Sequence, residues 1–160
     1  MAVERSYELV RELTNGVLAD MFQWAVGVAS TVGLVVHSDR VVLGPRALAL
    51  LERMDPYLVS KAAVTEWPGT QLIGGGRKAI LRTYRFTNDS AGFIIAAADR
   101  LYAWVNPDLP EDIHLWRPDN SLLLGTITQE HAAWMNLTDD EYAALVSHAP
   151  ELAGVLCQQK

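Results

Sequence analysis

Cysteine is nearly absent. Cys157, close to the C-terminus, is the sole one, so no disulfide can form within the chain and a reducing, cytoplasmic compartment is the expected setting. An apolar leader is also missing, because Glu4 and Glu8 interrupt the N-terminal segment where one would stand. Without secretion, the glycosylation-type triplet Asn136-Leu137-Thr138 is expected to be a chance match. Long apolar runs are lacking as well. The longest charge-free stretch of interest, residues 21–36, has 16 residues and contains Gln23, Ser30, Thr31 and two glycines. A membrane span needs about 20 apolar residues, so this stretch reads as buried core. Basic residues are outnumbered, 13 to 19, leaving a net charge of −6. That balance argues against general nucleic-acid binding and suits a basic protein partner.

Complete catalytic signatures are lacking too. Gly69 and Gly74 have the spacing of a phosphate loop, but Gly75 and Gly76 stand where Lys and Ser or Thr are required. A strand, not a helix, is expected after them, so no helix N-terminus would receive a phosphate. Ser90, in Asn88-Asp89-Ser90-Ala91-Gly92, lacks the first glycine of a nucleophile elbow and reads as a turn residue. His37, His114, His131 and His148 show no zinc-ligand spacing, and Cys157 has no basic neighbour to activate it. No cofactor, metal ligand or catalytic residue is therefore expected.

What remains is the composition of a globular domain, half apolar and a fifth charged, long enough to bury a core unaided. Val3, Tyr7, Val10, Thr14, Val17 and Met21 recur at helical steps and predict a helix over residues 3–19, with Asn15-Gly16 a break in it. Residues 22–29 read equally as a strand or as the end of a longer helix, and residues 32–37 read as a strand. Gly44-Pro45 opens a short helix carrying Leu48, Leu51 and Met54. Asp55-Pro56 interrupts it, and residues 57–64 are expected to be a second helical piece. Strands are predicted over residues 78–86, 92–97, 100–105, 113–117 and 122–128, joined by short turns that favour an antiparallel meander. Thr138 and Glu141 form a capping box that starts a last helix, and Pro150 ends it. The expected fold is one α+β domain over residues 1–160. Its antiparallel sheet has about five or six strands, packed against N-terminal and C-terminal helices.

Two surfaces stand out. Tyr84 and Phe86, Tyr102 and Trp104, and His114 and Trp116 each share parity on an expected strand, so the six could line one sheet face. Such a face is either ordinary core or, if uncovered, a recognition surface. Asp108, Glu111 and Asp112 flank a proline-rich joint, and Asp139, Asp140 and Glu141 open the last helix. Each set has a local explanation, as a solvated loop and a capped helix, yet together they could steer a basic partner.

Residues 102–112, YAWVNPDLPED, with Arg117-Pro118-Asp119-Asn120-Ser121, the stretch 126–131 and Glu66-Trp67-Pro68-Gly69-Thr70, resemble small bacterial α+β proteins of uncharacterised type. Small acidic domains of that kind often serve as immunity proteins, which neutralise a cognate toxin. The resemblance implies protein binding and carries over no site residues. The expectation is a non-catalytic protein-binding domain with Asp108, Glu111, Asp112, Trp104, Trp116, Asp139, Asp140 and Glu141 at the interface, without nucleic-acid or membrane binding. The alternative is a small-molecule-binding domain or enzyme on the aromatic face, using His114 or His131 as the acid–base group.

Overall fold

The computed structural model describes residues 2–37 and 42–160. The chain enters as a strand, β1 (Glu4–Leu9), where a helix is expected. Its residues alternate, with Tyr7 and Leu9 buried and Glu8 exposed. It is held by β9 (Ala132–Thr138) and β10 (Leu156–Gln158), from the far end of the chain. Helical periodicity is a local signal and does not report such long-range pairing. The helix-like steps are realised only later, in α1 (Asn15–Ala25), which buries Leu18, Met21, Phe22 and Ala25. Asn15-Gly16 thus opens a helix, with Asn15 at φ 52°, a left-handed conformation that Asn tolerates better than most residues. Residues 22–25 belong to α1, and the charge-free stretch ends in β2 (Thr31–His37).

The helix α2 (Pro45–Met54) takes proline in its first turn, as expected, and buries Ala47, Leu50, Leu51 and Met54. After a 3-10 turn over Asp55–Tyr57, the expected second helical piece is instead the strand β3 (Leu58–Val64). A small hairpin follows, β4 (Glu66–Trp67) and β5 (Thr70–Gln71), and then β6 (Ala79–Arg85). Residues 92–97, expected as a strand, lie in α3 (Asn88–Ala97). Thr87 caps it: the Thr87 hydroxyl accepts from the Ser90 N–H, and the Ser90 hydroxyl oxygen in turn accepts from the Thr87 N–H. The serine weighed as a nucleophile is therefore half of a capping box built without the usual Glu or Gln. Residues 100–105 form no strand either; Leu101–Ala103 is a 3-10 turn. Next come the meander β7 (Glu111–Trp116), β8 (Leu122–Ile127) and β9, and then α4 (Asp139–His148), capped by Thr138 and Glu141 as expected.

These elements form the expected α+β architecture around a larger sheet than expected. Eight strands run in the order β10-β1-β9-β8-β7-β2-β6-β3, and every pairing is antiparallel. The helices do not precede and follow the sheet in sequence. They are interleaved with its strands.

All four helices contribute to one core, with Val32, Leu34, Tyr84, Ile113, Leu115, Met135 and Leu137 from the sheet. Each such fully buried Leu or Ile is worth roughly 1.5–3 kcal/mol. Val35 instead joins Trp67 and Ala79 in a second cluster. Side chains alternate along a strand, so Val35 points away from Val32 and Leu34, to the face opposite the helices. There the β4–β5 hairpin covers the His37 end: Trp67 packs on Val35 and Ala79, and Gly69 lies against Trp134 and Ile127. Close ring-to-backbone packing extends along this face. A Cβ on Gly125 would stand 2.3 Å from the Trp134 ring, so that ring needs glycine beneath it.

Candidate functional site

The helix-free face carries two distinct features, a polar cavity at the hairpin end and an open depression near Trp116. The cavity, about 310 Å³, lies between the β4–β5 hairpin, the His37 end of β2 and the 3-10 turn Thr128–Glu130. Glu111, the first residue of β7, is buried beside it. The His37 Nε2 stands 2.9 Å from Glu111 Oε2, the Asn106 N–H donates to Oε1 at 3.2 Å, and Gln129 Nε2 donates to Oε2 at 3.2 Å. Burial works to raise the Glu111 carboxyl, but the bonds from His37, Asn106 and Gln129 outweigh it and hold the group below the usual carboxylate range.

Asp112 has a different fate. It is buried at φ 53° and binds two elements at once. Trp67 Nε1 donates to Oδ2 at 2.8 Å, and the Thr128 N–H donates to Oδ1 at 2.8 Å. This carboxylate fastens the hairpin and the following turn to β7. Burial pushes its carboxyl above the ordinary value, the neighbouring Glu111 charge adds to that, and the two donors offset it only in part. Adjacent carboxyls are thus driven in opposite directions, but both of Asp112's oxygens are engaged in structure.

The expected acidic patch is divided. Glu111 opens β7, whereas Glu141 is bound by Arg117, one residue beyond the other end of that strand. At about 3.3 Å per residue the two ends are about 20 Å apart. Glu111 and Asp112 are buried, Asp108 is exposed and 3.6 Å from Arg46, and Asp139 pairs with Arg5 at 3.1 Å. Asp140 is exposed in the first turn of α4. Glu141 closes the capping box and meets the buried Arg117 guanidinium.

The six aromatic positions do not share a face. Tyr84 and Phe86 are core beneath the helices, Tyr102 and Trp104 are buried from a segment that is not a strand, and His114 and Trp116 lie on the helix-free side. Tyr102 and Trp104 share no sheet face because the chain turns at Leu101–Ala103, where a strand is expected. Trp116 alone of the proposed aromatic contacts is half-buried at an accessible place. It borders an open depression of about 340 Å³ with Thr31, Leu81, Thr83 and Asn120.

Among the described residues, neither expected acid–base histidine sits with a carboxylate partner. His114 is buried, and its Nδ1 lies 2.8 Å from the Asp112 carbonyl, so that nitrogen carries the proton. Nε2 is buried and among the described residues has no hydrogen-bond partner, and burial pushes the ring's pKa down to about 4. His131 is exposed and stacks on Tyr102, with ring centroids 5.2 Å apart. The histidine that does meet a carboxylate is His37, 74 positions from Glu111. No spacing rule reveals that pair, since only the β2–β7 pairing brings it together.

Among the described residues, no three His, Cys, Asp or Glu side chains gather into a metal site, and no helix is long and apolar enough to cross a membrane. No family model, curated protein or solved structure matches this chain.

Proposed function

We propose that this chain is a non-catalytic protein-binding domain that takes a basic partner on the helix-free face of its sheet. Neutralisation of a bacterial toxin in the cytoplasm, the role of an immunity protein, is its specific form. The observation that carries the reading is the unequal covering of the sheet. Four helices close one face, while the small hairpin covers only part of the other and leaves Trp116 half-exposed beside the Thr31–Leu81–Thr83–Asn120 depression. Tryptophan is among the residue types most enriched in binding hot spots. The exposed carboxylate of Asp119, next to Asn120, is held ionised by its bonds from Ser121. With the overall charge of −6 it favours a positively charged partner.

The test joins affinity capture from the native cell with protection assays against toxins encoded beside this gene. The expected result is one basic partner whose capture is lost in Trp116→Ala and whose toxicity the intact chain suppresses. Recovery of no partner and protection against no neighbouring toxin would overturn the reading. Undiminished capture by Trp116→Ala would move the interface off this face.

A further inference from the structure

The hairpin-end cavity is a site separate from the Trp116 depression, and an inference from it stands independently of the protein-binding reading. Its carboxylates are mostly spent. Glu111 accepts from His37, Asn106 and Gln129, and Asp112 accepts from Trp67 and Thr128. Two charged side chains on the cavity wall are not spent. Arg77 and Glu130 both line it, and among the described residues neither forms an ion pair or a side-chain hydrogen bond. Unpaired charges of opposite sign on the lining of one small cavity, which Trp67 and Ile127 also line, describe a particular ligand.

A simple anion would meet Arg77 but would also face Glu111 and Glu130. A simple cation would face Arg77. A metal ion lacks three gathered ligands among the described residues. A molecule with both charges satisfies both walls, and about 310 Å³ lies at the small end of the range for ligand pockets, roughly 300–1,000 Å³. We propose that this cavity binds a small zwitterion of the α-amino acid class. Its carboxylate sits on the Arg77 guanidinium, its ammonium on the Glu130 carboxylate, and its apolar side chain against Trp67 and Ile127. The planar fork of Arg77 suits two-point binding of a carboxylate.

The experiment is calorimetric titration of the intact chain with L-leucine and L-phenylalanine, alongside phenylalanine amide and N-acetylphenylalanine. The Trp67 indole N–H resonance is followed in parallel. Binding of a free amino acid with a shift at Trp67 is expected, and each capped derivative should bind about tenfold or more weakly. Arg77→Gln should erase the discrimination against the amide, and Glu130→Gln that against the acetylated form. Both residues are exposed, so these variants are expected to fold, which far-ultraviolet dichroism confirms. The proposal is overturned if neither amino acid binds at millimolar concentration or if heat is released without a shift at Trp67. It is equally overturned if the capped forms bind as well as the free ones, or if both variants keep full affinity and discrimination.

Discussion

The imidazole of His114 packs onto Gly33 of the neighbouring strand so closely that a Cβ at position 33 would stand 2.0 Å from Nε2. The two residues are direct cross-strand partners in the β2–β7 pairing. Glycine in a strand interior has no side chain to contribute, and here the ring from the next strand occupies that space. The ring is closed on another side by Trp116, edge-on at 5.8 Å between centroids. This packing links the buried end of the helix-free face to its accessible end.

Gly33→Ala is therefore expected to force the ring out of place. Overpacking of this kind costs about 1–3 kcal/mol. Urea denaturation should show a lower midpoint at unchanged slope, and His114→Ala in the same background should recover part of the loss. Equal additivity of the two changes would show that the contact is not the cause.

His114 also makes stability depend on pH. Its folded value of about 4 lies below the ordinary 6.5, because burial disfavours the charged ring. Between those values the unfolded chain binds a proton that the folded chain refuses. The contribution is complete above about pH 6.5 and is lost as pH falls toward 4, by up to about 3 kcal/mol. Other groups titrate in the same range, with Glu111 acting in the same direction and Asp112 in the opposite one. The informative quantity is the difference from His114→Phe, which keeps a ring on Gly33 and removes an unpartnered nitrogen. From about pH 7 down to pH 4 the denaturation midpoint of the parent should fall relative to that of His114→Phe. Parallel curves would exclude His114 as the source.

Trp67→Phe removes the indole donor and leaves the buried Asp112 Oδ2 without its partner. Leaving a buried acceptor unmet costs about 1–3 kcal/mol, and more for a charged group. The loss should be local before it is global. Hydrogen exchange at residues 65–72 should accelerate strongly, whereas the meander β7–β8–β9 keeps its protection. Protection lost evenly across the sheet would mean that the hairpin and the sheet open as one unit.

The legibility of this fold followed the range of the interactions. The α4 capping box lies within four consecutive residues and is legible in the sequence, as are proline at the start of α2 and the strands β6 and β8, while β7 is legible except for its first two residues. The Thr87–Ser90 box lacks the usual sequence signature, because serine replaces the acidic or amide partner. β9 alternates regularly, with Ala133, Met135 and Leu137 buried and their neighbours half-buried, a period-two signal that the sequence does carry. β10 has only three residues, and β1 pairs with β9 and β10 from the far end of the chain, a long-range partnership that helical steps in the local sequence do not report. The site was less legible still. Glu111 and Asp112 were singled out as exposed acids, yet a strand beginning at Glu111 buries both and gives them to His37, Asn106, Gln129, Trp67 and Thr128.

Arg117 offers the sharpest test of how the opposite end of β7 is held. It is only 8% exposed, and its guanidinium contacts Glu141, Glu4 at 3.1 Å, the Leu122 carbonyl at 3.1 Å and the Asn136 carbonyl at 2.6 Å. These partners tie β1, β8, β9 and α4 to the loop after β7. Arg117→Met keeps the apolar stem but strips every donor, leaving Glu141 and two carbonyls short of a partner. A broken fully buried pair costs about 3–5 kcal/mol, and the partial exposure of Glu141 and Glu4 to water places this loss below that range. Arg117→Lys restores the charge without the planar fork, so it should recover well under half of the loss. Glu141→Gln separates the contributions: it keeps an N3 side chain able to complete the capping box and gives up the ion pair. The loss in Arg117→Met should therefore exceed that in Glu141→Gln, since the arginine also holds Glu4 and two carbonyls. Equal losses would assign the whole effect to the Arg117–Glu141 pair and none to the backbone contacts.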